Sequence, residues 1–327
     1  MLVSIIIPIF QVEKHIERCL RSVMRQDYKG LIECILVDDC GKDRSVKIAE
    51  QIISEYTGSI SFIWVKHAVN RGLSAARNSG TQKAKGEYIF YLDSDDEIIT
   101  HAISILVEMV NKHPQVDIVY GDWYVSHKYN GLQNQTDLPE FIKDRHDICK
   151  HLLNYHMSVT AQNKLLRRQY IIENKISFLE GVIHEDVHFT FRLASTAKSI
   201  AVSHIPTYIY YLNPHGITGN YGEKDLLSIL KLSDDLLNHS LYQFATLKIL
   251  FISRVILNSV INIKNYPTGL KNVRRQVLNN LRSKSLKTHN FFLILYIYTL
   301  QIAVTKITNI TFLKIIRILG NCLNRFY

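Results

Sequence analysis

The chain has 327 residues, a hydrophobic content of 47% and a formal net charge of +10 at pH 7. This length suits about two domains, and the low content of proline and glycine indicates a folded chain. The five cysteines are scattered without a CxxC pair, so we predict neither a disulfide framework nor a zinc site. The first apolar run, residues 2–10, contains Pro8 and is too short for a signal peptide, so a reducing cytosol is the expected setting.

Strands and helices alternate along the first part of the chain. Strands are predicted where apolar runs occur, and helices where apolar residues recur every three or four positions. The predicted strands cover residues 2–9, 31–37, 61–66 and 88–92, and the predicted helices between them cover 13–26, 43–56 and 73–85. Such alternation with short loops predicts a doubly wound, mostly parallel sheet flanked by helices.

The pattern continues less regularly after the fourth strand. We predict a helix from about Ile98 to residue 112 and a strand at 117–120, followed by a polar loop or irregular hairpin. A second junction between a strand and acidic residues is predicted at Glu185 and Asp186. From Lys224 onward the pattern becomes helical, so two domains are predicted, residues 1–223 and 224–327.

Acidic residues follow the fourth strand directly. Four of the five residues at 93–97 are acidic, in the order Asp93, Ser94, Asp95, Asp96 and Glu97. Because like charges repel, we expect a cation or a charged substrate to offset them. The alternative is a solvated turn or the negatively charged start of a helix.

A second acidic pair, Asp38 and Asp39, ends the second strand. The carboxyl ends of parallel strands meet at one crevice, so both acidic groups should face the same ligand. One pair could bind a base or ribose, and the other could hold Mg²⁺ or Mn²⁺ beside phosphates, which suits a nucleoside diphosphate. No GxGxxG or GxxxxGK[ST] motif supports another nucleotide fold. The alternative for this pair is helix capping.

The segment 70–80, NRGLSAARNSG, is a turn that leads into a helix of small residues. Gly72 permits a positive φ, and the small side chains allow the helix to approach the sheet closely. The helix N-terminus, with Arg71 and Arg77 nearby, offers hydrogen-bond donors to phosphate oxygens. The alternative is that Arg77 pairs with a carboxylate of the sheet.

Six segments together resemble the family 2 glycosyltransferases of the GT-A fold. They occur in the order and approximate spacing of that family, over roughly residues 3–220. The segments are SIIIPIF at 4–10, LVDD at 36–39, NRGLSAARNSG at 70–80, GEYIFYLDSDD at 86–96, NKLLRR at 163–168 and HEDVHF at 184–189. The resemblance implies an inverting sugar transfer from a nucleoside diphosphate sugar.

The resemblance also implies which residues bind the donor. Asp39 would bind the base, usually uracil, with Asp38 supporting it, and Arg77 would serve the diphosphate or brace the site. The implied donor-binding residues are Pro8, Phe10, Asp38, Asp39, Asn70, Arg71, Arg77, Asp93 and Ser94.

The remaining implied roles concern metal and catalysis. Asp95 would bind Mn²⁺ or Mg²⁺ together with Asp93, and His215 is a weaker third candidate. Asp186 would be the catalytic base, with Glu185 orienting the acceptor hydroxyl. The alternative for Glu185 and Asp186 is an ordinary capping pair at the start of a helix.

The last part of the chain is strongly basic. After Asp235 there is no Asp or Glu, but there are 13 Lys and Arg residues. The apolar run 291–304 is shorter than the ~20 residues of a spanning helix, whereas 312–319 has the pattern of an interfacial amphipathic helix attracted to anionic lipids. The alternative is a helical subdomain that packs on a second subunit. Nucleic-acid binding is disfavoured because no reader motif accompanies the basic residues.

The resemblance, together with the basic tail, implies a metal-dependent inverting glycosyltransferase acting in bacterial surface polysaccharide synthesis. The expected partners are a donor, usually a UDP-sugar, a glycan or lipid-linked acceptor and the inner face of the plasma membrane; a homo-oligomer is compatible with the sequence. The alternatives are a non-catalytic sugar-nucleotide-binding protein and a processive synthase. The synthase is disfavoured because the sequence has no QxxRW-type segment and no set of long apolar spans.

Overall fold

The computed structural model divides the chain into two compact units. The first comprises Met1–Ile148, Met157–Gly181 and Phe189–Leu212, and the second comprises Cys149–His156, Val182–His188 and Asn213–Tyr327. The residues described are 1–126, 133–134, 138–154, 156–212, 223–238, 248–249, 251–253, 255, 278–279, 282–286 and 297. The predicted domain boundary between residues 223 and 224 stays a prediction.

The first four strands form a parallel half of one sheet in the first unit. Their order across the sheet is β3-β2-β1-β4, with parallel pairing throughout. Three helices connect consecutive strands. The elements are β1 (Leu2–Ile9), α1 (Ile16–Met24), β2 (Leu31–Asp38), α2 (Ser45–Ser54), β3 (Ser61–Lys66), α3 (Leu73–Lys83) and β4 (Tyr88–Tyr91). The alternating architecture predicted for this region is confirmed.

The other half of the sheet is mixed. In chain order its elements are β5 (Glu97–Ile98), α4 (Ala102–Lys112), β6 (Ile118–Ser126), β7 (Gln133–Asn134), β8 (Phe141–Ile142), α5 (Arg145–Leu153), β9 (Lys164–Arg167), α6 (Arg168–Glu173), α7 (Glu185–Thr196) and β10 (Ile200–Tyr211). The order continues β4-β9-β6-β10-β5, while β7 pairs with β6 and β8 with β10. Strand β9 is antiparallel to both neighbours, whereas β6 and β10 are parallel to each other. Helix α8 (Glu223–Asn238) belongs to the second unit.

Three predicted elements differ from the structure. Residues 97–98 pair with β10, so the helix predicted from Ile98 begins only at Ala102. The strand predicted at 117–120 extends to Ser126 because it pairs with β10 over that length. The residues before Glu185 form no strand; Glu185 begins α7 directly.

The core of the first unit lies on both faces of the central strands. Ile5, Ile6 and Ile7 on β1 are completely buried, which explains the continuous apolar run of that strand. Helix α3 packs close to the sheet, since a Cβ at Gly80 would lie 2.4 Å from Ile6 Cγ2. The predicted close approach of the small-residue helix is therefore confirmed.

Within the described residues, no helix is both long and apolar enough to cross a membrane. The predicted interfacial helix at 312–319 lies outside the described residues. So does the apolar run 291–304, apart from Ile297.

Candidate active site

The candidate donor site lies at the carboxyl edge of the parallel strands. Strands β1, β2 and β4 end at this edge, and the chain between β3 and α3 passes beside it. Pro8 is buried near the end of β1, in register with Val37 of β2, whereas Phe10 is 41% exposed just beyond β1. An exposed aromatic ring at the end of a central strand is available to a ligand.

Asp39 organises the loop between β3 and α3. Its side chain is 3% exposed, and its carboxylate accepts hydrogen bonds from His67 Nδ1 (2.6 Å) and Asn70 Nδ2 (2.8 Å). It also accepts from the backbone N–H groups of Arg71 (2.9 Å) and Gly72 (2.8 Å). Gly72 has φ +86°, a left-handed conformation that glycine adopts without strain. We call residues 67–72 the donor loop.

Asp38 has a smaller, local role. Its Oδ1 accepts a hydrogen bond from the Cys40 N–H (3.0 Å), and its carbonyl accepts one from the His67 N–H (2.9 Å). These contacts form a turn after β2 and hold His67 next to Asp39. Asp38 therefore holds the turn after β2 through its side chain and the His67 N–H through its carbonyl. Its predicted support of base binding by Asp39 stays a prediction.

Arg77 and Asp93 form a largely buried ion pair across α3 and the end of β4. Arg77 Nη2 lies 2.6 Å from Asp93 Oδ1, and the two side chains are 3% and 23% exposed. The guanidinium carbon also lies 5.2 Å from the centre of the Phe178 ring, within the range of a cation–π interaction. The sequence left open whether Arg77 pairs with a sheet carboxylate, and the structure shows that it does.

The acidic segment 93–97 is neutralised in part by the protein itself. Asp93 pairs with Arg77, and Glu97 lies 3.2 Å from Arg18 Nε of α1. The Arg18 guanidinium donates to the Asp95 carbonyl and stacks 3.5 Å from the centre of the Tyr211 ring. The segment is thus held from two directions, by α1 and by the end of β10.

Asp96 is the most buried acid of this segment, at 1% exposure. It accepts hydrogen bonds from the Tyr208 hydroxyl (2.7 Å) and the Tyr211 N–H (2.8 Å). Burial, followed by repulsion from Asp93, raises the pKa of Asp96 to about 8, although the hydrogen bonds from the two tyrosines oppose the shift. Sequence analysis gave Asp96 no role, because its partners lie more than 110 residues further along the chain.

Asp93 and Asp95 offer the oxygen donors that a hard cation requires. They lie two positions apart after β4, and Ser94 between them is buried. Carboxylate oxygens suit Mg²⁺ and Mn²⁺, so the chemistry of this donor set fits such an ion. Among the described residues there is no group of three or more His, Cys, Asp or Glu side chains that could hold a metal. His215, the predicted third candidate, lies outside the described residues.

Ser74, in the first turn of α3, was not singled out by the sequence. Its hydroxyl is buried and has no hydrogen-bond partner in the described part of the chain. Buried hydroxyl groups are usually satisfied, so the Ser74 hydroxyl can donate to a group bound at this end of α3. The first N–H groups of a helix also lack intrahelical partners. The start of α3 can therefore donate to an anion.

Glu185 and Asp186 form the first turn of α7 and belong to the second unit. Glu185 is buried, and Asp186 Oδ1 accepts a hydrogen bond from the Val187 N–H (2.9 Å). Acids are favourable in the first turn of a helix, which is the position that the alternative of a capping pair gives them. The predicted convergence of Asp186 with Asp39 and Asp95 stays a prediction.

Two hydrogen bonds tie the segment 182–188 to α8 within the second unit. His188 Nε2 lies 2.8 Å from Asp235 Oδ2, and the Ile183 N–H donates to Ser228 Oγ at 3.0 Å. The start of α7 is therefore supported by a helix that follows it in the chain.

Comparison with known proteins places this chain in a family. The model of glycosyl transferase family 2 matches residues 4–174. EpsH of Bacillus subtilis is 30% identical over 227 residues, which are 68% of this chain and 64% of EpsH. The poly(ribitol-phosphate) beta-glucosyltransferase of Bacillus spizizenii is 30% identical over 249 residues, 72% of this chain and 37% of that protein. The matched part of the chain thus spans less than two thirds of either relative.

A solved structure shares the fold over almost the whole chain. Residues 1–349 of S. aureus TarS, in complex with UDP-GlcNAc, match with a TM-score of 0.71 and 19% identity. The match covers 97% of this chain and 92% of the TarS chain, and it agrees with a GT-A architecture. From its match to the family model over residues 4–174, we conclude that the chain belongs to glycosyl transferase family 2.

Proposed function

We propose that this protein is a metal-dependent, inverting glycosyltransferase. It would move a sugar from a UDP-sugar to a hydroxyl of a glycan or a lipid-linked oligosaccharide in surface polysaccharide synthesis. The observation that carries the proposal is the gathering of Asp39, Asp93, Arg77 and the unpaired Ser74 hydroxyl at one edge of the sheet. The complex of TarS with UDP-GlcNAc supports a UDP-sugar donor, and the glucosyltransferase relative supports a polymeric acceptor.

In this proposal the donor lies along the carboxyl edge of the sheet. The base and ribose would bind near Phe10, Asp39 and the donor loop, in which Asn70 and Arg71 are held by Asp39. The diphosphate would lie toward the start of α3, where Ser74 and the helix N-terminus supply donors. Arg77 would brace Asp93 so that its second carboxylate oxygen stays available to the ligand.

A divalent cation fits the same site. Asp95, together with Asp93, would hold Mn²⁺ or Mg²⁺, and the bound ion would neutralise negative charge on the leaving diphosphate. Arg18 fixes the main chain of Asp95 from α1, which limits the positions that the Asp95 carboxylate can take. His215 remains a candidate third ligand from sequence.

The proposed chemistry is a single displacement. Asp186 accepts the proton of the acceptor hydroxyl, and the hydroxyl oxygen forms a bond to the anomeric carbon. The bond between that carbon and the diphosphate oxygen breaks, and the nucleoside diphosphate leaves with the electron pair. Attack opposite the leaving group inverts the anomeric configuration. Glu185, adjacent and buried, would help to orient the acceptor.

Binding and turnover can be tested separately with the full chain. UDP and UDP-sugars are titrated by calorimetry with and without Mn²⁺, and UDP release is followed as the readout of transfer or hydrolysis. We expect Asp95→Asn to lose the Mn²⁺-dependent part of binding, and Asp186→Asn to bind UDP normally but release none from a UDP-sugar. Asp147→Asn, an exposed acid in the first turn of α5, is the matched control and should behave as wild type.

Three outcomes would contradict the proposal. If no nucleotide binds the wild-type protein, the donor site is wrong. If Asp186→Asn keeps full turnover, Asp186 is not the base. A wild-type protein that binds UDP-sugars but releases no UDP with any acceptor would support the non-catalytic alternative.

We further propose that residues 241–327 dock on anionic lipid at the inner face of the plasma membrane. The support is compositional: this segment is basic and apolar and has no acidic residue, and anionic lipids attract such cations. Co-sedimentation with vesicles that contain phosphatidylglycerol, compared with vesicles of phosphatidylcholine alone, tests the proposal. Equal recovery with both vesicles, or unchanged binding after replacing Lys314 and Arg317 by Gln, would refute it.

A further inference from the structure

A chain of hydrogen bonds runs through the donor site from α3 to β2. Ser79 Oγ lies 2.9 Å from His67 Nε2, and His67 Nδ1 lies 2.6 Å from Asp39 Oδ1. The side chains of His67 and Asp39 are 5% and 3% exposed. Three elements that are separate in sequence are therefore linked through one buried imidazole ring.

The chemistry of the partners determines the direction of the bond to Asp39. An ionised carboxylate can only accept, so the proton between His67 and Asp39 belongs to His67 Nδ1. The Ser79 hydroxyl can donate to a ring nitrogen or accept from it, so it pairs with Nε2 in either protonation state of the ring. Both ring nitrogens are thus engaged, which fixes the orientation of the ring.

Asp39 connects the imidazole of His67 to the rest of the donor loop through hydrogen bonds. Its Oδ1 accepts from His67 Nδ1 and from the Arg71 N–H, and its Oδ2 accepts from Asn70 Nδ2 and the Gly72 N–H. The imidazole is therefore one of the groups that hold the carboxylate in place, and the carboxylate holds residues 70–72 through their N–H groups. Helix α3 begins directly after these residues.

The arrangement has the residue types of a hydrolytic triad, but Ser79 is placed differently from a nucleophile. It lies within α3, where the surrounding backbone N–H groups are used in the helix itself. No set of free N–H groups is available there to stabilise an oxyanion.

We infer that His67 is a positioning residue for the base-binding end of the donor site, acting through Asp39 and supported by Ser79. The inference rests on the proposed function, because it assumes that a nucleoside diphosphate binds beside the donor loop. It assigns His67 no contact with the sugar or with the reacting atoms. Loss of the His67–Asp39 bond should therefore raise the donor KM more than it lowers kcat.

Two amide substitutions separate the two bonds of the ring. The side-chain nitrogen of Asn can take the place of Nδ1 and donate to Asp39, whereas that of Gln reaches the position of Nε2 near Ser79. We expect His67→Gln to raise the Kd for UDP, measured by calorimetry with Mn²⁺, by at least about tenfold. The Kd of His67→Asn for UDP should stay within about threefold of the wild-type value. The Kd of Ser79→Ala should lie between those of His67→Asn and His67→Gln. Lys66→Gln, next to His67 but paired with Glu50, is the matched control.

Amide hydrogen exchange gives a second readout that does not depend on activity. The N–H groups of Arg71 and Gly72 should exchange faster in His67→Gln than in His67→Asn, because only the former loses the bond that fixes Asp39. This measurement remains decisive if a variant is too unstable for calorimetry at 25 °C, since exchange can be followed in the cold.

The outcomes distinguish this inference from the proposed function. If wild type binds UDP and His67→Gln binds it equally well, with unchanged exchange at Arg71 and Gly72, the inference is wrong and the donor site stands. If His67→Asn binds UDP as weakly as His67→Gln does, the imidazole does not act through Asp39, and the inference is again overturned. If wild type binds no nucleoside diphosphate, both fall.

Discussion

Replacement of Asp96 by Asn should change how the stability of the protein depends on pH. Burial, followed by repulsion from Asp93, raises the pKa of Asp96 from its ordinary value of 3.8 to about 8. Between these two pH values the folded protein holds a proton that the unfolded chain has released. The free energy of unfolding therefore falls as pH rises, by about 1.4 kcal/mol per pH unit. From pH 6 to pH 8 the ionisation of this one carboxyl lowers the free energy of unfolding by about 2 to 3 kcal/mol. Asn does not titrate, so this part of the pH dependence is absent from Asp96→Asn.

The measurement is urea unfolding at pH 6, 7 and 8 in EDTA, since a bound cation would favour the ionised acids. Asp43→Asn is the control. Burial raises the pKa of Asp43, but hydrogen bonds from Ser45 and from the Glu13 N–H lower it on balance. The contribution of Asp43 to the free energy of unfolding is therefore lost only in acid. We expect the Asp43→Asn curve to run parallel to wild type, and Asp96→Asn to gain stability relative to wild type as pH rises. A constant difference between Asp96→Asn and wild type from pH 6 to pH 8 would refute the reasoning.

Three further outcomes are expected. Gly80→Ala should destabilise the protein by about 1–3 kcal/mol in urea unfolding, because its Cβ would lie 2.4 Å from Ile6 Cγ2; a stabilised variant would contradict this packing. Arg77→Leu should lower the free energy of unfolding by about 3 kcal/mol, because it leaves Asp93 unpaired. A second change, Asp93→Asn, should recover part of that loss in a double-mutant cycle. Arg18→Met removes a bond to the Asp95 carbonyl, so it should raise the Mn²⁺ concentration needed for nucleotide binding; an unchanged Mn²⁺ titration would show that Arg18 does not support Asp95.

The first four strands and the positions of two acidic clusters were predictable from the sequence. Buried strands have apolar runs, as in β2 and β4, and these two runs are followed by the acidic residues Asp38–Asp39 and Asp93. Strand β9 was not predicted to lie antiparallel between β4 and β6, because it is only four residues long. Ile98 was placed at the start of a helix because its pairing with β10 depends on a segment about 110 residues away.

Within the candidate site, the sequence by itself determined the residue types, and the tertiary structure decided their partners. Carboxylates at strand ends, small residues in α3 and Arg77 are local features, visible in consecutive letters. The roles of Asp96, Arg18 and His67 depend on contacts with residues 12 to 115 positions distant. A hydrogen bond requires two groups within about 3 Å, and such proximity between distant residues arises only when the sheet assembles.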